Sequence, residues 1–97
     1  MSGYLISPEA QQDILDITDY IAADNLDAAF RLRNRVFQAC SKIGRMPGIG
    51  HFRDDLVARN AGLRFWTVGK YLIVYRHKDG QVEIVRVLSG YRDTPNC

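Results

Sequence analysis

Basic and phenolic side chains recur through the last third of the chain: Arg64, Lys70, Tyr71, Tyr75, Arg76, Arg86, Tyr91 and Arg92. A guanidinium pairs bidentately with phosphate or carboxylate, and a lysine adds a compact point charge. Such groups could serve metal-free RNA cleavage. That chemistry needs cations for the developing phosphate charge, a base for the 2′-hydroxyl and an acid for the leaving oxygen. Arg64, Lys70, Arg86 and Tyr91 are the candidates for it. The base is the missing part. Lys70 would need a strongly lowered pKa, and His51 and His77 fall in a loop and a turn, where a solvated imidazole is the plainer reading. The alternative use is binding, with Arg64, Trp66, Tyr75, Arg76, Arg86, Tyr91 and Arg92 as contacts for an acidic or nucleic-acid partner. Arg64, Arg76 and Arg86 fall on three successive apolar segments. They either stand in water or pair with Glu83 and Asp93, or they form one cationic surface.

Other chemistries lack their residues. Two cysteines and two histidines are scattered without ligand spacing, so no metal or other cofactor is expected. Gly48-Ile49-Gly50 is not a phosphate loop, because no strand precedes it and no Gly-Lys-Ser/Thr follows. No Ser–His–Asp arrangement is suggested.

The net charge of +2 hides an asymmetry. Residues 1–41 carry three basic and six acidic residues, a balance of −3, whereas residues 42–97 carry ten and five, a balance of +5. A basic C-terminal half suits an acidic partner, nucleic acid or protein. With 46% hydrophobic and 25% charged residues in 97, the composition is that of one globular domain spanning residues 1–97. Met1-Ser2-Gly3-Tyr4 lacks the basic-then-apolar opening of a signal peptide. No apolar run approaches the roughly 20 residues of a membrane span. Cys40 lies in a helical pattern and Cys97 is the final residue, so a buried thiol and an exposed one are expected rather than a bridge. A cytoplasmic location follows.

The elements that must position these side chains fall into two textures. Tyr4-Leu5-Ile6 reads as an edge strand. Ser7-Pro8 then starts a helix, with serine as N-cap and proline where its missing N–H costs nothing. Ala10, Ile14, Ile17 and Ile21 form its apolar face. Asn25 caps a second helix whose face is Ala29, Leu32, Val36, Cys40 and Ile43, and Gly44 is expected to stop it, with Pro47 just beyond. The few residues between the helices imply an antiparallel hairpin. Residues 45–62 read as loop. From Leu63 the sequence turns β-branched and aromatic, and Leu63–Val68, Tyr71–Arg76 and Val82–Leu88 form a meander turned at Gly69-Lys70 and within His77–Gln81, which contains Asp79-Gly80.

The expected fold is α+β, a helical hairpin on a three- to four-stranded antiparallel sheet, with the first strand at an edge or next to the last. The helices cover one side of the sheet. The other, mixing apolar and basic residues, has no element left to cover it and is the expected place for a partner. Phe65 and Trp66 must face opposite sides. One is core and the other could anchor a partner, while Tyr71, Ile73 and Tyr75 share a core face.

Specific residues add to this pattern. The run from Gly62-Leu63-Arg64 through Val68-Gly69-Lys70-Tyr71 to Tyr75-Arg76 resembles the "GLR…VG.Y.I.YR" stretch of ParE-like toxins. Val82-Glu83-Ile84-Val85-Arg86-Val87-Leu88-Ser89-Gly90-Tyr91-Arg92-Asp93 is similar to their closing "I.RVLHG.RD", with Ser89 where the family has histidine. Ser7-Pro8-Glu9-Ala10, Asp13-Ile14 and Ile17…Tyr20-Ile21-Ala22 look like their first helix, and Pro47-Gly48-Ile49-Gly50 like the loop after the second. No one piece is specific, but the ordered set covers nearly the whole chain. The resemblance is to the ParE/RelE toxin superfamily of type II toxin–antitoxin systems, in its ParE-like branch. It implies a toxin that poisons DNA gyrase and serves plasmid stabilisation. It also implies a cognate antitoxin that wraps an acidic, amphipathic C-terminal segment over the toxin, giving a hetero-oligomer away from any membrane. RelE-like relatives are instead ribosome-dependent mRNA interferases, and the serine at position 89 weakens that alternative.

Overall fold

A computed structural model describes residues 3–52 and 62–89 of the chain. The elements run β1 (Leu5–Ile6), α1 (Pro8–Ala22), α2 (Leu26–Arg45), a 3₁₀ turn (Pro47–Ile49), β2 (Leu63–Val68), β3 (Tyr71–Lys78) and β4 (Gln81–Ser89).

Local chemistry sets the helix starts. The Ser7 hydroxyl oxygen accepts the Ala10 N–H at 3.0 Å and its own proton goes to Val85 O at 2.8 Å. The cap therefore also fastens α1 to β4. Asn25 caps α2 by accepting the Ala28 N–H at 3.0 Å. Gly44 does not stop α2, which runs on through Arg45. Its glycine serves contact instead, since a Cβ there would come within 3.0 Å of the Gly3 carbonyl oxygen. Pro47 begins the next turn and ends the helix.

The sheet order is β1-β4-β3-β2. β2, β3 and β4 form the expected antiparallel meander, but β1 lies parallel to β4, Leu5 opposite Glu83 and Ile6 opposite Ile84. The sheet is thus mixed, because the chain crosses over the sheet through both helices before the meander begins. β3 reaches Lys78, so His77 lies in strand. Asp79 and Gly80, both at positive φ (55° and 73°), make the tight turn, as a two-residue type I′ hairpin demands. A register shift at Val74/Tyr75, where Val74 faces Arg86 and Tyr75 faces Ile84, leaves Val85 as a bulge.

The helices lie on one side of the sheet. Ala10 and Ile14 of α1, and Leu32, Val36, Cys40 and Ile43 of α2, pack with Val68, Ile73, Tyr75, Val82, Ile84 and Val87. The opposite side corrects the expectation of a bare, guanidinium-studded surface. Phe65, Leu72 and Val74 are closed from solvent, with Leu63, Val85 and Leu88 packed around them. Alternation along the strands put apolar residues on both sides, and those on the second side have found cover.

Candidate functional site

Each of the three strand arginines has its own tie. Arg64 Nη1 donates to Gly50 O at 3.2 Å and its guanidinium lies 4.3 Å from the centre of the Phe52 ring. Arg76 pairs with Glu83 at 2.9 Å, as the sequence allowed. Arg86 pairs with Asp13 of α1: Nε donates to Oδ2 at 2.6 Å and Nη2 to Oδ1 at 2.9 Å; Asp93, the partner considered from sequence, lies outside the described residues. Tyr75 is fully buried; its hydroxyl donates to Pro47 O at 2.6 Å and accepts the Gly50 N–H at 2.8 Å. It fixes the 47–50 turn from inside, where no partner reaches it. Burial pushes its pKa up, against the opposing pull of the Gly50 N–H and the Arg64 charge. Lys70 is exposed in the β2–β3 turn. Tyr91 and Arg92 lie outside the described residues.

Of the side chains considered for RNA cleavage, Arg64 and Arg86 are held by different partners. Arg64 on β2 and Arg86 on β4 stand on either side of β3, two strand spacings or about 10 Å apart. Among the described residues, no group of three or more His, Cys, Asp or Glu gathers as metal ligands would.

A cationic, aromatic site is built elsewhere, where α2 passes the outer strand β2. Arg35, Gln38, Ala39 and Lys42 line a groove of about 260 Å³ with Trp66, Thr67, Val68 and Gly69. The helical residues fall at i, i+3, i+4 and i+7, one stripe along α2 beside the buried stripe of Val36, Cys40 and Ile43. Trp66 faces the helices and Phe65 the other side; Phe65 is the more deeply buried of the two. The Trp66 ring packs at the edge of the helix-side core, with Lys42 Nζ 5.3 Å from its centre and the His51 ring stacked at 6.5 Å. Gly69, at φ 58°, turns the chain beside the Arg35 guanidinium. Among the described residues neither Arg35 nor Lys42 has a carboxylate partner. The groove thus offers two uncompensated cations, one aromatic surface and a length of strand edge. A second cleft, about 360 Å³, lies between α1 and the ends of β3 and β4, lined by Asp16, Ile17, Tyr20, Tyr71 and Ser89. Among the described residues that line it, the one charged side chain is the Asp16 carboxylate.

This fold and sequence have known counterparts. The model of the family described as the ParE toxin of the type II toxin–antitoxin system parDE matches residues 4–94. The chain belongs to the ParE toxin family. Its architecture is similar to a solved chain from the chromosomal ParDE toxin–antitoxin system of P. aeruginosa, with a TM-score of 0.76 at 17% identity, over 92% of this chain and 96% of that one. At that identity the likeness speaks for the fold. No curated protein sequence matches the toxin.

Of the residues nominated from sequence, Trp66 lies in the groove of this ParE toxin. Arg35 and Lys42 were missed. A division of the charge at residue 41 put Arg35 into an acidic half and separated it from Lys42. The usable signal was helical spacing: residues 35, 38 and 42 share one polar stripe on a helix that carries five of the chain's thirteen basic residues, Arg31, Arg33, Arg35, Lys42 and Arg45.

Proposed function

We propose that this ParE toxin binds DNA gyrase and blocks its strand-passage cycle, and that a cognate antitoxin holds it inactive in the cytoplasm by laying an acidic, amphipathic segment on it. The observation that carries this reading is the match of residues 4–94 to the parDE toxin family. The likeness to a chain of a ParDE toxin–antitoxin system supports an antitoxin as the partner. Arg35 and Lys42 beside Trp66, without a carboxylate partner among the described residues, support an acidic segment, since guanidinium and ammonium groups left uncompensated in a groove attract carboxylates. The enzyme alternative, an mRNA interferase, has less support: Arg64 and Arg86 stand on different strands, one tied to Gly50 O and the other to Asp13.

Purified toxin added to gyrase and supercoiled DNA tests the reading. Accumulation of cleaved DNA, abolished by an equimolar amount of the antitoxin encoded beside the toxin, is the expected outcome. Cutting of ribosome-bound mRNA with gyrase unaffected would replace it with the interferase reading.

A further inference from the structure

One lip of the groove is a strand edge laid out for another strand. Phe65 exchanges both backbone bonds with His51: the His51 N–H donates to Phe65 O at 2.9 Å and the Phe65 N–H to His51 O at 2.7 Å. In a strand, residues two apart direct their N–H and C=O groups to the same side. Thr67 therefore directs its own pair outward, in line with those of Phe65, and it is exposed. His51 is an isolated antiparallel bridge. Before it the chain is in the 3₁₀ turn Pro47–Ile49, so nothing among the described residues continues the pairing past Phe65 toward Thr67. An extended edge with open donors and acceptors is a template for strand addition.

The surroundings select what adds. A nucleic acid has no amide ladder to match the Thr67 donor and acceptor, whereas an extended peptide does. On the helix-facing side of such a peptide, side chains two apart would meet Arg35 and Lys42 across Trp66 and Val68. Carboxylates in those places are favoured, and lysine or arginine is excluded by like charge. A second copy of the toxin, edge to edge, would set Arg35 and Lys42 against their own counterparts. We propose that β2 from Trp66 to Val68 is the docking edge for an extended acidic segment of the antitoxin. The segment adds as a short strand bonded through Thr67 and places carboxylates at alternate positions on Arg35 and Lys42. The occupant rests on the antitoxin reading above; the edge and its charge rest on the geometry.

Amide exchange of the toxin, alone and in complex with the antitoxin encoded beside it, tests the proposal when combined with binding of an Arg35→Glu/Lys42→Glu double variant. The Thr67 amide is expected to slow by about tenfold or more in the complex, as an amide buried in a ladder does. The double variant, both of whose sites are exposed, is expected to keep its thermal midpoint and bind about tenfold or more weakly, with a flatter salt dependence. Thr67→Pro, which removes the outward N–H at an edge position, is expected to weaken binding as well. A complex that forms with Thr67 exchange unchanged and the double variant within twofold of the wild type overturns the docking edge while leaving the antitoxin reading intact. Failure to form any complex overturns that reading itself, and this inference with it. Protection of Thr67 by a single-stranded oligonucleotide and not by antitoxin also overturns the peptide assignment.

Discussion

The two outer edges of the sheet are treated differently by the same chain. On one side, β4 is covered along its first half by β1, paired at Glu83 and Ile84. Where β1 ends, Asp13 of α1 takes over: its Oδ2 accepts the Val87 N–H at 2.9 Å, and the carboxylate holds Arg86 in a two-pronged pair. On the other side, among the described residues, β2 receives one bridge, from His51 to Phe65, and is open at Thr67 between Arg35, Lys42 and Trp66. Strand edges are points of unwanted association, and proteins close them or guard them with charge. Here the closed edge carries stability. The guarded one keeps its hydrogen-bonding groups available, and its unpaired cations bar a second copy while admitting a carboxylate.

Substitutions and pH should separate these two kinds of surface. The largest effect is expected in the core between the helices and the sheet. Burial pushes the Cys40 thiol from 9.0 up to about 12. The folded state therefore holds that proton more tightly than the unfolded one, and the stabilisation is complete below pH 9. Stability should decline as pH climbs from 9 toward 12, which urea midpoints across that range will show, while Cys40→Ala should flatten the decline. Next, Asp13→Ala removes two charge-assisted bonds and leaves the Val87 N–H on an open edge. After allowance for the half-exposed Arg86, a loss of about 2–3 kcal/mol is expected in urea unfolding, with antitoxin affinity of the folded fraction unchanged. A smaller cost, about 1–2 kcal/mol, is expected for Tyr75→Phe, which leaves Pro47 O and the Gly50 N–H without their partner. That change should also loosen His51 and speed exchange at Phe65. Smallest of all, Arg76→Ala breaks a pair exposed by 49% and 36% and should shift stability by less than about 0.5 kcal/mol. A loss above 1.5 kcal/mol there would blur the distinction between closed and guarded surfaces.

Much of the fold was legible because its signals are local. Ser7-Pro8, Asn25 and Asp79-Gly80 each fix a cap or turn within four residues, and the apolar spacings in α1 and α2 chose the faces that are buried. What was illegible depends on distant partners. Gly44 reads as a helix stop until Gly3 is seen against it. From the sequence Arg86 could stand in water or pair with Glu83 or Asp93; its partner Asp13 comes from α1, 73 residues earlier. Alternation identified an apolar second side to the sheet but could not say that Phe65, Leu72 and Val74 would be closed off. The candidate groove was half readable: Trp66 was nominated as a partner anchor, but its neighbours on α2 come from a crossing of helix and strand that no local spacing encodes.

The contrast between the edges is tested most directly by amide exchange in the free toxin, residue by residue. The Val87 amide, bonded to Asp13, should be protected close to the limit set by global unfolding, while the Thr67 amide, without a partner among the described residues, should exchange within about tenfold of an unfolded peptide. Equal protection at the two positions would mean that β2 is already closed by its own chain, and would contradict the account.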